Sequence, residues 1–270
     1  MIRKTGYLLL SLSFPAFYHL VQYGTGWLLS LLFFSGPPQN SLSAAALFVN
    51  QNFSSIGIFV AAALTLLMLQ AAFRLTGRSL MTETSAAAVP RLMKGPIVIC
   101  AVGCNILVGV VMILFPIPAQ VMAEHTEVMQ ALSGTNLGLA MLGGCVAAPV
   151  IEEVVYRGLA YRYARTALPR VAAVLWSALL FGAAHGNLLQ SSYAFAVGLV
   201  LAVVFEMSRS LWAAILFHMV FNFSNYFIGL FFMGDSYDQL AVTGAIGVLF
   251  VYYSLLHLWK IMRTRDPVRA

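Results

Sequence analysis

Glu152, Glu153, Arg157, His185, Glu206, His218 and Asn222 lie in or beside long apolar runs in the second half of the chain. An ionisable group at bilayer depth costs a few kcal/mol or more unless it is paired or hydrated. Single cases are easily absorbed. His19 and Gln22 in the first apolar run read as side chains bonded to nearby backbone, and His257 reads as interfacial. A cluster drawn from four runs calls for a shared purpose.

Glu153 and Arg157 are four residues apart with the acid on the N-terminal side, the favourable order for an ion pair on one helix face. Pairing removes the cost of both charges together. Glu152 lies about 100° round the helix from its neighbour and is left out of that pair. Two adjacent carboxylates in a low dielectric resist ionising together, which suits one of them to general-base work. Phe181 and His185 share a face, as do His218 and Asn222. A carboxylate, two imidazoles and an amide suit the addition of water to a carbonyl. Glu152 would take the water's proton, His185 would hold the water or share that proton, and His218 and Asn222 would donate to the oxyanion. No Ser or Cys sits within a turn of these histidines, so a covalent nucleophile is not indicated. Two His and one Glu could also bind zinc. That reading ranks below direct glutamate catalysis, and no cofactor is expected, because the H-E-x-x-H spacing is absent.

The elements that must position these groups are membrane helices. Hydrophobic residues make up 61% of 270 residues and charged residues 9%, against about 25% charged in soluble chains. A soluble enzyme and a nucleic-acid binder are excluded on that ground. Eight stretches reach or approach the about 20 apolar residues of a span: near Tyr7–Phe34, Phe53–Phe73, Pro96–Pro118, Leu137–Arg157, Val171–Leu189, Tyr193–Met207, Leu211–Met233 and Leu240–Trp259. The first is too long for a signal-peptide core and is kept as a helix. The expected fold is all-α: a polytopic bundle of about eight transmembrane helices forming a single integral-membrane domain over 1–270, with a motif-bearing core over 137–225. Cys100, Cys104 and Cys145 read as small core side chains.

With both termini inside, every Lys and Arg falls on the cytoplasmic side, while Glu124, Glu127, Asp235 and Asp238 lie opposite. This is the positive-inside pattern. The net charge of +6 therefore reports orientation and contact with anionic lipid, not a nucleic-acid partner. Glu206 reads as a helix-end residue paired with Arg209. At 1.5 Å per residue, Glu152, His185, His218 and Asn222 all fall within about 10 Å of depth. Ala140, Gly144 and Ala148 repeat every fourth position and read as a seam for close helix approach.

The runs E-E-V-V-Y-R-G from Glu152, F-G-A-A-H from Phe181 and S-L-W-A-A-I-L-F-H-M-V-F-N ending at Asn222 resemble the three ordered motifs EExxxR, FxxxH and HxxxN of the CPBP family, the CAAX proteases and bacteriocin-processing enzymes. The likeness covers roughly 147–225. It implies an eight-helix intramembrane endopeptidase of the glutamate type. In it Glu152 and His185 activate water, His218 and Asn222 form the oxyanion hole, and Glu153, Arg157 and Phe181 support them. The implied partners are membrane lipid and a peptide or lipid-anchored protein substrate, CAAX-type or a precursor peptide, reached from the cytoplasmic side. The compact loops favour a prokaryotic plasma membrane. The competing reading is a non-catalytic membrane protein, either a proton-coupled transporter or a bacteriocin-immunity or scaffold protein. Transporters usually carry paired halves with broken helices, and no repeat is visible here.

Overall fold

The computed structural model describes residues 2–34, 43–230 and 236–265. Among them there are only helices and connecting turns: α1 (Ile2–Phe34), α2 (Ala44–Gln51), α3 (Phe53–Leu75), α4 (Arg91–Leu114), α5 (Ala119–Ser133), α6 (Leu137–Ala167), α7 (Arg170–Ala183), α8 (Leu188–Ser208), α9 (Leu211–Ser224) and α10 (Tyr237–Arg265), with single helical turns at Leu80–Glu83 and Ile228–Leu230. Side-chain caps set several starts. Ser43, Asn136, Asn187 and Ser210 each accept a backbone N–H from the first turn of α2, α6, α8 and α9, satisfying a donor that a helix start leaves orphaned. A left-handed residue, Arg209 at φ 53°, ends α8, so α8 and α9 are joined by only two residues.

Five of these helices, α3, α4, α6, α8 and α10, are long and apolar enough to cross a membrane, whereas α7 and α9 are apolar but shorter. Each of the eight expected stretches overlaps a helix, but the seventh is helical only to Ser224 before a turn and a short 3-10 segment at Ile228–Leu230. The fifth does not continue through Leu189: α7 ends at Ala183, and a turn through His185 and Gly186 leads to the Asn187 cap of α8. Helix α5 occupies a segment read from sequence as an outer loop. The Met233 edge of the seventh stretch, and Asp235 and Arg269 of the charge pattern, lie outside the described residues.

The outside of the bundle is apolar and its inside carries the polar groups. Leu20, Leu67, Val171, Leu179 and Tyr252 are exposed, while Asn52, Thr65, Asn105, Glu153, Arg157 and His218 are buried. The interior also holds a large apolar core, so what departs from a soluble protein is the apolar exterior, which matches a lipid-facing surface. Helix α10 lies along α4, α7 along α8, and α1 against α3 and α6; α9 touches α4, α6 and α8. Cys100, Cys104 and Cys145 are buried free thiols. The basic segment after α3 meets the basic end of α6. Arg78 pairs with Glu83 at 2.6 Å and donates to the Tyr163 hydroxyl, and Arg162 donates to the carbonyls of Thr82 and Glu83. Glu206 binds Arg170 at 2.9 Å and accepts from the Tyr161 hydroxyl at 2.7 Å.

The α7–α8 contact depends on Gly182. A Cβ there would lie 2.8 Å from the Ser191 carbonyl oxygen and 2.9 Å from Phe195 Cβ. Backbone cannot yield as a flexible side chain can. Gly182→Ala should therefore cost a net of about 1–2 kcal/mol, since overpacking strain exceeds the gain in helix propensity. Thermal unfolding of the detergent-solubilised variant checks this as a lowered midpoint.

Candidate active site

The motif residues are brought together by α6, α7 and α9. Helix α6 is not a regular α-helix. It widens into π turns at Gly143–Ala147 and Val154–Tyr161. Such turns put side chains where a regular helix cannot. The first has a local cause. Ala148 N–H bonds the Gly143 carbonyl, five residues back. The next bond in that register would come from Pro149, which has no N–H. The Gly144 carbonyl thus lacks its helical donor, and the Asn222 side-chain nitrogen supplies one at 2.8 Å. That contact fixes the Asn222 amide on α9 against α6 and leaves its second N–H uncommitted to this bond.

Glu153 and Arg157 are both fully buried, with Arg157 Nη1 2.9 Å from Glu153 Oε1. Arg157 Nη2 donates to the Gly198 carbonyl at 3.2 Å, and the guanidinium lies 4.3 Å from the centre of the Phe181 ring. His218 Nδ1 donates to the same Glu153 oxygen at 2.8 Å. This turns His218 Nε2 toward Glu152, whose Oε2 is 3.8 Å away. The adjacent acids thus occupy different environments. Glu153 is sealed, whereas the Glu152 side chain keeps 19% of its surface and faces a cavity.

His185 sits at the end of α7. Its Nδ1 donates to the Phe181 carbonyl at 2.8 Å, which fixes the tautomer and leaves Nε2 as an acceptor. Phe181 joins the groups: its ring meets those of His185, His218 and Tyr156 edge-on at 4.9, 5.6 and 5.3 Å. Glu152, Phe181, His185, His218 and Asn222 all line one cavity of about 670 Å³. Among the described residues, no three His, Cys, Asp or Glu side chains are placed together to hold a metal ion.

Three features differ from the sequence reading. Ala140, Gly144 and Ala148 line the cavity, and a Cβ on Gly144 would meet nothing within 4 Å. Their small size makes room, and the close approach of α6 to α3 falls instead at Gly143, where a Cβ would stand 3.5 Å from Ser55 Cα. Among the described residues, His19 and Gln22 bond side chains and not backbone. His19 Nδ1 lies 3.1 Å from Gln22 Oε1 and Nε2 lies 3.0 Å from the Tyr156 hydroxyl, and all three residues line the cavity. Asn105 on α4 and His125 on α5 line it too. The sequence singles out His19 and Gln22 but not their place on the cavity, and it gives no sign of Asn105 and His125, because the contacts that bring them there, with Tyr156, Phe221, Asn225 and Tyr193, are distant in the chain.

Residues 134–224 match a family model described as type II CAAX prenyl endopeptidase Rce1-like. Comparison with curated proteins finds no match, and comparison with solved structures finds none. The matched region runs from the start of α6 to the end of α9 and contains every motif residue named above. With its long apolar helices and this Rce1-like region, the chain is an integral membrane protein that over residues 134–224, about a third of its length, is similar to the type II CAAX prenyl endopeptidase family.

Proposed function

We propose, from this Rce1-like region, that the chain is a glutamate-type intramembrane endopeptidase that hydrolyses a peptide bond of a membrane-associated or precursor peptide. The observation that carries the reading is that Glu152, His185, His218 and Asn222 share one cavity while Glu153 and Arg157 stay sealed behind it. Water held between Glu152 and His185 Nε2 attacks the scissile carbonyl carbon as Glu152 takes its proton. The carbonyl oxygen becomes an oxyanion. Asn222 donates its second amide N–H to it, and His218, with both ring nitrogens protonated, gives Nδ1–H to Glu153 and Nε2–H to the oxyanion. On collapse the C–N bond breaks, and Glu152 returns the proton to the leaving amine. No step uses a metal or cofactor. The proposed setting is a bundle of eight spans with both termini inside, in a prokaryotic plasma membrane; the distribution of Lys and Arg supports that orientation. It places the cavity end lined by α5 and the α7–α8 turn on the side opposite the basic segments, so the cytoplasmic entry expected from the resemblance is not proposed.

The test is cleavage by the purified, detergent-solubilised chain of a fluorogenic CAAX peptide, farnesylated and unmodified. Wild type should cut one or both and retain activity after dialysis against a strong chelator. Activity lost to the chelator and restored by zinc would overturn the metal-free mechanism. Asn222→Ala removes one oxyanion donor, and kcat should fall by about 10²–10³-fold. An unchanged kcat would remove Asn222 from that role.

A further inference from the structure

Helix α1 lies outside the matched region, yet it reaches the cavity. Tyr156 follows the motif glutamates on α6 and is buried; its hydroxyl is 3.0 Å from His19 Nε2 on α1, 137 residues away in sequence. His19 Nδ1 is 3.1 Å from Gln22 Oε1, one turn further along the same helix. A carbonyl oxygen only accepts, so Nδ1 carries the proton. In the neutral ring Nε2 is then an acceptor, and the Tyr156 hydroxyl must donate to it. The phenol proton therefore points at α1. Tyr156 and Glu152 are four residues apart on α6 and line the same cavity. Without His19, the Glu152 carboxylate is the acidic acceptor on that cavity to which the phenol proton can turn.

We propose that His19 and Gln22 are positioning residues for the peptidase site: the chain Tyr156 O–H to His19 Nε2, His19 Nδ1–H to Gln22 holds the phenol proton away from Glu152 and keeps that carboxylate free for water. The proposal rests on the peptidase reading for its consequence but not for its geometry. Neither residue touches the reacting atoms; both act through Tyr156. Loss of His19 lets the phenol occupy the base, whereas loss of the phenol hydroxyl makes His19 irrelevant.

The experiment has two arms. In the first, ¹⁵N spectra of the full-length detergent-solubilised chain, labelled at histidine, report the His19 ring, assigned by its absence in His19→Gln. The expected result is a protonated Nδ1 and an accepting Nε2 whose shift moves in Tyr156→Phe. A ring protonated at Nε2, or one that ignores Tyr156→Phe, overturns the proposal whether or not the protein cleaves anything. In the second arm, cleavage of the fluorogenic peptide is compared in wild type, His19→Ala, Tyr156→Phe and the double variant. His19→Ala should lower kcat roughly tenfold or more with KM little changed, as losing an orienting partner does at other sites. The Tyr156→Phe background should erase that effect, because coupled residues are not additive. His19→Gln, which keeps an accepting oxygen, should restore most of kcat. A His19→Ala loss that persists in Tyr156→Phe, or that tracks a lowered unfolding midpoint, marks a merely structural residue and overturns the role. If wild type cleaves no peptide, the peptidase reading and the catalytic role fall together, and the spectra still decide the hydrogen-bond chain.

Discussion

Glu152→Gln is expected to abolish detectable peptide cleavage, a loss of about 10²–10⁴-fold in kcat from removing general-base catalysis, while the protein still inserts and folds. The two outcomes separate because of where the side chain sits. Gln has nearly the shape of Glu, so the packing of α6 is kept. Glu152 faces the cavity, and His218 Nε2 stands 3.8 Å from its Oε2, beyond hydrogen-bond range. The sealed network of Glu153, Arg157 and His218 Nδ1 does not use it. KM should stay near wild type, since the carboxylate acts on water, not on substrate binding. The measurement is single-turnover cleavage beside the elution profile and unfolding midpoint of the same preparation. Cleavage that survives in a homogeneous Glu152→Gln sample would take the base assignment down.

That separation also marks what the sequence could tell. The contact of Glu153 with Arg157 is readable because both partners lie on one helix turn, where four-residue spacing translates directly into distance. The positions of the long helices are readable because apolar runs bounded by charge are strong signals in membrane chains. Spacing fails where the backbone departs from the regular helix or the partner lies far along the chain. Gly144 looked like one position of a packing seam, because Ala and Gly every fourth residue are what a close helix contact needs. Only the π turn before Pro149 reveals that its carbonyl is turned to Asn222 and that the open space beside it belongs to the cavity. His19 looked like an isolated polar residue, because its partner Tyr156 is 137 positions away. The end of α7 was missed because no proline or charge breaks the apolar run there. The chain turns at Gly186 and restarts on the Asn187 cap, a short polar signal within a hydrophobic stretch.

Arg157→Leu should be the most destabilising single change in the chain's interior, costing about 3–5 kcal/mol, the usual penalty when one partner of a buried ion pair is removed. The argument follows from what remains. Glu153 would be left at 0% exposure without its cation, with one oxygen already lacking any hydrogen-bond partner. Its other oxygen would retain only His218. The Gly198 carbonyl would lose its donor and the Phe181 ring its cation. Arg157→Lys should rescue little, because a single ammonium cannot span Glu153, Gly198 and the ring face as the planar guanidinium does. Removing both charges in Glu153→Gln/Arg157→Leu should recover much of the loss, as replacing a whole buried pair costs far less than breaking it. Unfolding midpoints in detergent would then rank wild type above the double variant and the double variant above Arg157→Leu. Cleavage should not follow that ranking. The double variant lacks the carboxylate that orients His218 Nδ1, so it should be folded and yet nearly inactive. A double variant no more stable than Arg157→Leu would mean that Arg157 acts by its bulk and its hold on Gly198 and Phe181, not by neutralising Glu153.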